Sequence, residues 1–137
     1  MINLKSCVAA GIRQSRSETV VDSMTVGALV AGMPMVYSTP YMITVMEVVS
    51  EHLTASLLPD GWVSVGTLVE VKHLKATPVG FTVTTTSEVS EVTEKEIIFK
   101  VSAHDGIELI GEGIHRRGVV ELARFEAGMS RKVANKP

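Results

Sequence analysis

The sequence predicts an α+β domain in which one antiparallel sheet curls around a single long helix. Of the 137 residues, 41 are Val, Thr or Ile, whereas only 4% are aromatic. Side chains branched at Cβ are stiff at χ1 and pack well on a pleated surface, so the apolar mass favours strands over a helical bundle. Only one stretch, residues 38–58, has apolar positions at helical spacing, and most of the chain beyond it alternates with a period of two. At 14.7 kDa the chain suits one domain with one core, spanning residues 1–137.

Residues 1–17 read as a basic lead-in with Lys5, Arg13 and Arg16, and residues 18–26 as a first strand or a loop. Met33-Pro34 breaks the chain before the helix. The helix begins near Ser38-Thr39-Pro40, where a hydroxyl suits the N-cap and proline suits the first turn. Met42, Val45, Met46, Val49 and Leu53 make its apolar stripe; Thr44, Glu47, Glu51 and Thr54 make the polar side. Pro59-Asp60-Gly61 ends it. Residues 62–75 alternate, with Val63, Val65, Thr67, Val69, Val71 and His73 sharing one face. Residues 81–92 form the next strand. Residues 95–104 and 107–122 pair as a hairpin through a two-residue Asp105-Gly106 turn. The last segment, 123–137, reads as a loose basic tail.

A net charge of −2 argues against a nucleic-acid partner held by phosphate neutralisation. Cys7 is the only cysteine, so an intrachain disulfide and a cysteine-rich zinc site are excluded, and a lone thiol suits the reducing cytoplasm. The N-terminal residues lack the apolar run of a signal peptide, and Glu47, Glu51 and His52 interrupt the helix, so no membrane partner is expected. No HExxH, GxSxG, P-loop or GxGxxG pattern is present, and no metal or other cofactor is expected.

Thr39, Ile43 and Glu47 lie on one i, i+4, i+8 ridge of the helix. Glu47 reads either as a solvated acid or as a working carboxylate, and Thr39 either as an N-cap or as a site hydroxyl. His73 has the strand parity expected of the core side, where an imidazole needs a polar partner. Glu47 is the partner that a sheet packed on this helix would offer. Gly66, inside a strand of branched residues, marks a bend or a close approach. Of Arg116 and Arg117, opposite parity turns one inward, and Arg117 shares the parity of Val119. His104 reads as a turn-shaping residue, and His52 and His115 carry weaker signals.

Taken in order, these residues resemble the fluoroacetyl-CoA thioesterase-like family. The resemblance rests on Thr39-x7-Glu47, Gly66-x6-His73, Ser102-Ala103-His104-Asp105-Gly106 and His115-x-Arg117, within residues 25–130. It implies a hot-dog fold and hydrolysis of a short- or medium-chain acyl-CoA, CoA being part of the substrate. By the same resemblance Thr39, Glu47 and His73 are the catalytic group, Gly66 and Arg117 bind substrate, and the site lies at the interface of a homodimer or a dimer of dimers. One segment departs from the family pattern. Where the fluoroacetyl-specific enzyme has aromatic rings before its threonine, Val30–Val36 has Met33 and Met35. Met33 is then a substrate-facing residue, and a different acyl group is expected. A non-catalytic acyl-CoA-binding module and a hot-dog hydratase or dehydratase are the alternatives.

Overall fold

The computed structural model describes residues 2–137. Five antiparallel strands form one sheet in the order β1-β3-β4-β5-β2. They are β1 (Arg13–Thr19), β2 (Trp62–His73), β3 (Thr82–Val92), β4 (Glu96–His104) and β5 (Leu109–Glu121). The long helix, α3 (Thr39–Ala55), lies on the inner face of the sheet. Short helices α1 (Leu4–Cys7) and α2 (Val26–Leu29) precede it, and α4 (Leu122–Ala134) follows the last strand. Met42 and Met46 of α3 pack with Val83, Val89, Ile97, Phe99, Val101 and Ile110 of the sheet in one core. Core residues of the strands recur with period two and those of the helix with period near 3.6, as the two geometries require.

Several sequence expectations need correction. The first strand is Arg13–Thr19, mostly within the expected lead-in of residues 1–17, and its mostly exposed residues carry no apolar alternation. Instead Ser15 and Ser17 pair their hydroxyls with Thr86 and Thr84 of β3. Leu4 and Val8 of the lead-in are buried in the core. The segment from Ala123, expected as a loose tail, is helical through Ala134. Thr54 belongs to the buried side of α3. The β4–β5 connection is a four-residue loop, in which Asp105 N–H bonds the Glu108 carbonyl and the Asp105 carboxylate accepts from the N–H groups of Ile107 and Glu108. His104 shapes this loop as expected, its Nδ1 accepting from Gly106 N–H.

The correction with most consequence is in β2. Its register against β5 shifts between Gly66 and Leu68, so Thr67 is an extra residue and the parity changes there. Cross-strand partners share a face. Gly66 faces with Arg117, and beyond the bulge Val69 faces with His115 and His73 with Gly111. Val63 and Val65 therefore point to the opposite face from Val69, Val71 and His73. The bulge puts Gly66 and His73, one even and one odd, on the same inner surface.

Candidate active site

The helix start is built from both sides. Ser38, not Thr39, is the N-cap, its hydroxyl accepting from Tyr41 N–H at 3.2 Å. Tyr37 is fully buried, and its N–H bonds the Thr77 carbonyl. Thr77 in turn donates its hydroxyl to Asp105 at 2.9 Å. Burial alone would raise the Asp105 pKa. The Glu108 and Ile107 N–H groups and the Thr77 hydroxyl outweigh that and hold it below the ordinary carboxylate value. An ionised side chain in the β4–β5 loop thus anchors the residues just ahead of Thr39.

With Ser38 capping the helix, the Thr39 hydroxyl is left for another partner. It lies 2.7 Å from His73 Nδ1. The structure pairs His73 with Thr39, where the sequence suggested Glu47, because His73 is near the end of β2 that meets the helix start. Burial holds the His73 pKa below its ordinary 6.5, so the ring is neutral at pH 7. Its Nε2 is buried with no hydrogen-bond partner in the protein.

Glu47 follows eight residues along the same ridge, about 12 Å from Thr39 at 1.5 Å per residue. It rests against the β2 backbone: a Cβ built on Gly66 would lie 2.7 Å from Glu47 Oε1 and 3.5 Å from His115 Cε1. Gly66 is thus the point of close approach that its place among branched residues suggested.

Arg117 is the inward member of its pair, 7% exposed, whereas Arg116 lies 4.0 Å from Glu96 on the outer side. Arg117 donates from Nε to Ser64 Oγ, from Nη2 to the Ser64 carbonyl and from Nη1 to His115 Nε2. His115, 1% exposed, also meets the Leu68 carbonyl through Nδ1 at 2.8 Å. From the residues alone His115 carried a weak signal; its i, i+2 spacing from Arg117, part of the family resemblance, puts both on one face of β5. Met33 remains apart from these contacts, exposed in the loop between α2 and α3.

A single curled antiparallel sheet enclosing one helix, with polar groups along the seam between that helix and an edge strand, belongs to the hot-dog thioesterases. A hot-dog-like protein from Thermanaerovibrio acidaminovorans has this fold, with a TM-score of 0.87 at 24% identity over 93% of this chain and 95% of that one. Residues 20–123 match the family model of the fluoroacetyl-CoA-specific thioesterase. The fluoroacetyl-CoA thioesterase of Streptantibioticus cattleyicolor is 40% identical over 102 residues, 74% of this chain and 73% of that protein. A solved structure of the fluoroacetyl-CoA thioesterase FlK superposes with a TM-score of 0.86 at 35% identity, covering 95% of this chain and 98% of that one. The chain belongs to the fluoroacetyl-CoA-specific thioesterase family. No helix among the described residues is long and apolar enough to cross a membrane.

Proposed function

We propose that this protein hydrolyses a short- or medium-chain acyl-CoA thioester to the free acid and CoA, without a metal or other cofactor. The observation that carries the reading is the hydroxyl–imidazole pair, Thr39 and His73 at 2.7 Å, on the same seam as the Glu47 carboxylate. In this mechanism the thioester lies along the seam with its carbonyl toward backbone N–H donors at the helix start or Gly66. Such donors stabilise the developing oxyanion. Glu47 acts as general base toward water or as the nucleophile. Thr39 fixes the His73 ring through Nδ1, leaving Nε2 to move a proton toward the departing thiolate. Arg117, held by internal bonds to Ser64 and His115, supplies a positive field near Glu47 rather than reaching a CoA phosphate. Met33 forms part of the flexible cover over the acyl group, and thioether side chains in place of rings suit an acyl group other than fluoroacetyl.

The proposed assembly is a homodimer, with a dimer of dimers as the larger form. Gly66 and His73 lie on β2, an unpaired edge of the sheet, where Leu68 and Val69 are 38% and 40% exposed. A long open edge of this kind is ordinarily covered. Pairing with β2 of a second copy would cover it and close the site. The lone thiol of Cys7 suits a cytoplasmic location.

A panel of acyl-CoA esters from C2 to C10, with fluoroacetyl-CoA included, tests the reading by thiol release. Wild type should turn over at least one ester, and Glu47→Ala should lose on the order of 10²-fold or more in kcat while keeping its fold. Binding without thiol release on every ester would identify a ligand-binding module. Enoyl absorbance without thiol would identify a hydratase or dehydratase.

A further inference from the structure

His115 stands outside the Thr39, Glu47 and His73 group, yet it is the most enclosed imidazole next to the seam. Its ring stacks on Phe99 with centroids 6.0 Å apart and planes 25° apart. Two contacts define its chemical state. A carbonyl can only accept, so the 2.8 Å contact to Leu68 requires a proton on Nδ1. A guanidinium can only donate, so the 3.3 Å contact to Arg117 Nη1 requires a lone pair on Nε2. Both are met by one neutral tautomer, and burial, the largest influence on this ring, also favours the neutral form.

The arginine so held is unusual. It is nearly enclosed, and all its hydrogen bonds run to neutral acceptors, on Ser64 and His115. Among the described residues no carboxylate lies within 4.0 Å of it. A buried cation without a directly bonded counter-ion is costly unless it is kept where its field is used. Arg117 is the cross-strand partner of Gly66, and Gly66 is the residue against which the Glu47 carboxylate rests. The His115 ring edge borders the same point.

We propose that His115 is a positioning residue for the hydrolysis: locked as the Nδ1–H tautomer by the Leu68 carbonyl, it uses Nε2 to orient the Arg117 guanidinium toward the Glu47–Gly66 contact. The inference rests on Glu47 being the working carboxylate. Its role is indirect, since the imidazole acts through Arg117 and touches no reacting atom.

Two substitutions separate this role from a structural one. In His115→Gln the side-chain amide extends to the Nε2 position and retains an acceptor for Arg117, but loses the donor to Leu68. In His115→Asn the amide stops near Nδ1 and retains the Leu68 bond, but leaves Arg117 without its acceptor. We expect His115→Gln to stay within about fivefold of wild-type kcat. His115→Asn should lose about 10–100-fold in kcat, the range for supporting hydrogen bonds to a site, with KM changed far less. The reverse order, or equal losses, would overturn the proposal. Nitrogen-15 NMR of the wild-type imidazole supplies a readout that needs neither turnover nor a folded variant. A protonated Nδ1 with a bare Nε2 is expected between pH 7 and 8, and an Nε2–H tautomer overturns the proposal. If Glu47→Ala kept full turnover, the carboxylate reading would fail instead, whatever the two His115 variants did.

Discussion

Gly66 shows how one residue ties backbone geometry to chemistry. Its lack of a side chain leaves room for the Glu47 carboxylate, and the atom a methyl would meet is the far end of a flexible side chain. Gly66→Ala should therefore change stability by less than about 1 kcal/mol, because Glu47 can swing aside. It should lower kcat on the order of 100-fold, since a working group displaced by an ångström loses about that much. Thermal melting and steady-state kinetics on the same preparation check both halves, and full activity with a methyl in place would remove Gly66 from the site. At this scale the sequence was partly legible. His73 and Arg117 stood out by strand parity, whereas Glu47 and Thr39 had two readings each until the family resemblance singled them out. The pairing of His73 with Thr39 was not, because it depends on where the end of β2 meets the start of α3. His115 drew notice only through its i, i+2 spacing from Arg117, because its bond to the Leu68 carbonyl crosses from β5 to β2.

The elements were more legible than their faces. The boundaries of α3 follow from its hydroxyl cap, Pro40 and its apolar spacing, and its N-cap offers a direct test. Ser38→Ala removes the acceptor for Tyr41 N–H and should cost about 1 kcal/mol, the usual worth of such a cap. In a chain of this size that corresponds to a fall of roughly 2–5 °C in Tm. An unchanged Tm would mean that the helix start is held by the Tyr37–Thr77–Asp105 anchor alone. Strand β2 teaches the opposite lesson. Its alternation of branched residues reads as one continuous face, but the bulge at Thr67 splits that face in two. Branched residues on both sides of the break give the pattern no signature of the extra residue. Strand β1 was hidden for a different reason: its stabilising pairs are hydroxyl to hydroxyl, which no hydropathy period reveals.

The whole molecule carries its polar groups in ways that bear on pH and on assembly. Burial lowers the pKa of both His73 and His115 from the ordinary 6.5. As pH falls below that value, the unfolded chain takes up protons that the native rings refuse, so stability declines with acidification through their native values. Asp105, with its pKa held down, contributes stability above the ordinary carboxylate value and loses it at still lower pH. Tm should therefore fall from pH 7 to pH 5 and fall again near pH 3; a Tm that is level or rises between pH 7 and 5 would contradict the histidine assignment. The open β2 edge makes the oligomer prediction. Sedimentation should find a dimer. Leu68→Lys, mid-strand, would set like charges near one another across a two-fold axis and weaken association by about tenfold or more. Activity should then fall in step with the dimer fraction, and an active monomer would refute the shared site.

By itself the sequence determined the class of fold, the span of the central helix and the polar residues worth watching. Each of these comes from local chemistry: branching at Cβ, helical spacing, turn residues and the expense of burying a polar group. Only the tertiary structure decided which of those residues meet. One extra residue at Thr67 reverses strand parity, the end of β2 brings His73 to Thr39, and Leu68 and Ser64 of β2 bond His115 and Arg117 of β5. Such contacts join residues 34 to 53 positions apart, or hinge on a single residue of register, and no local pattern in the chain encodes them.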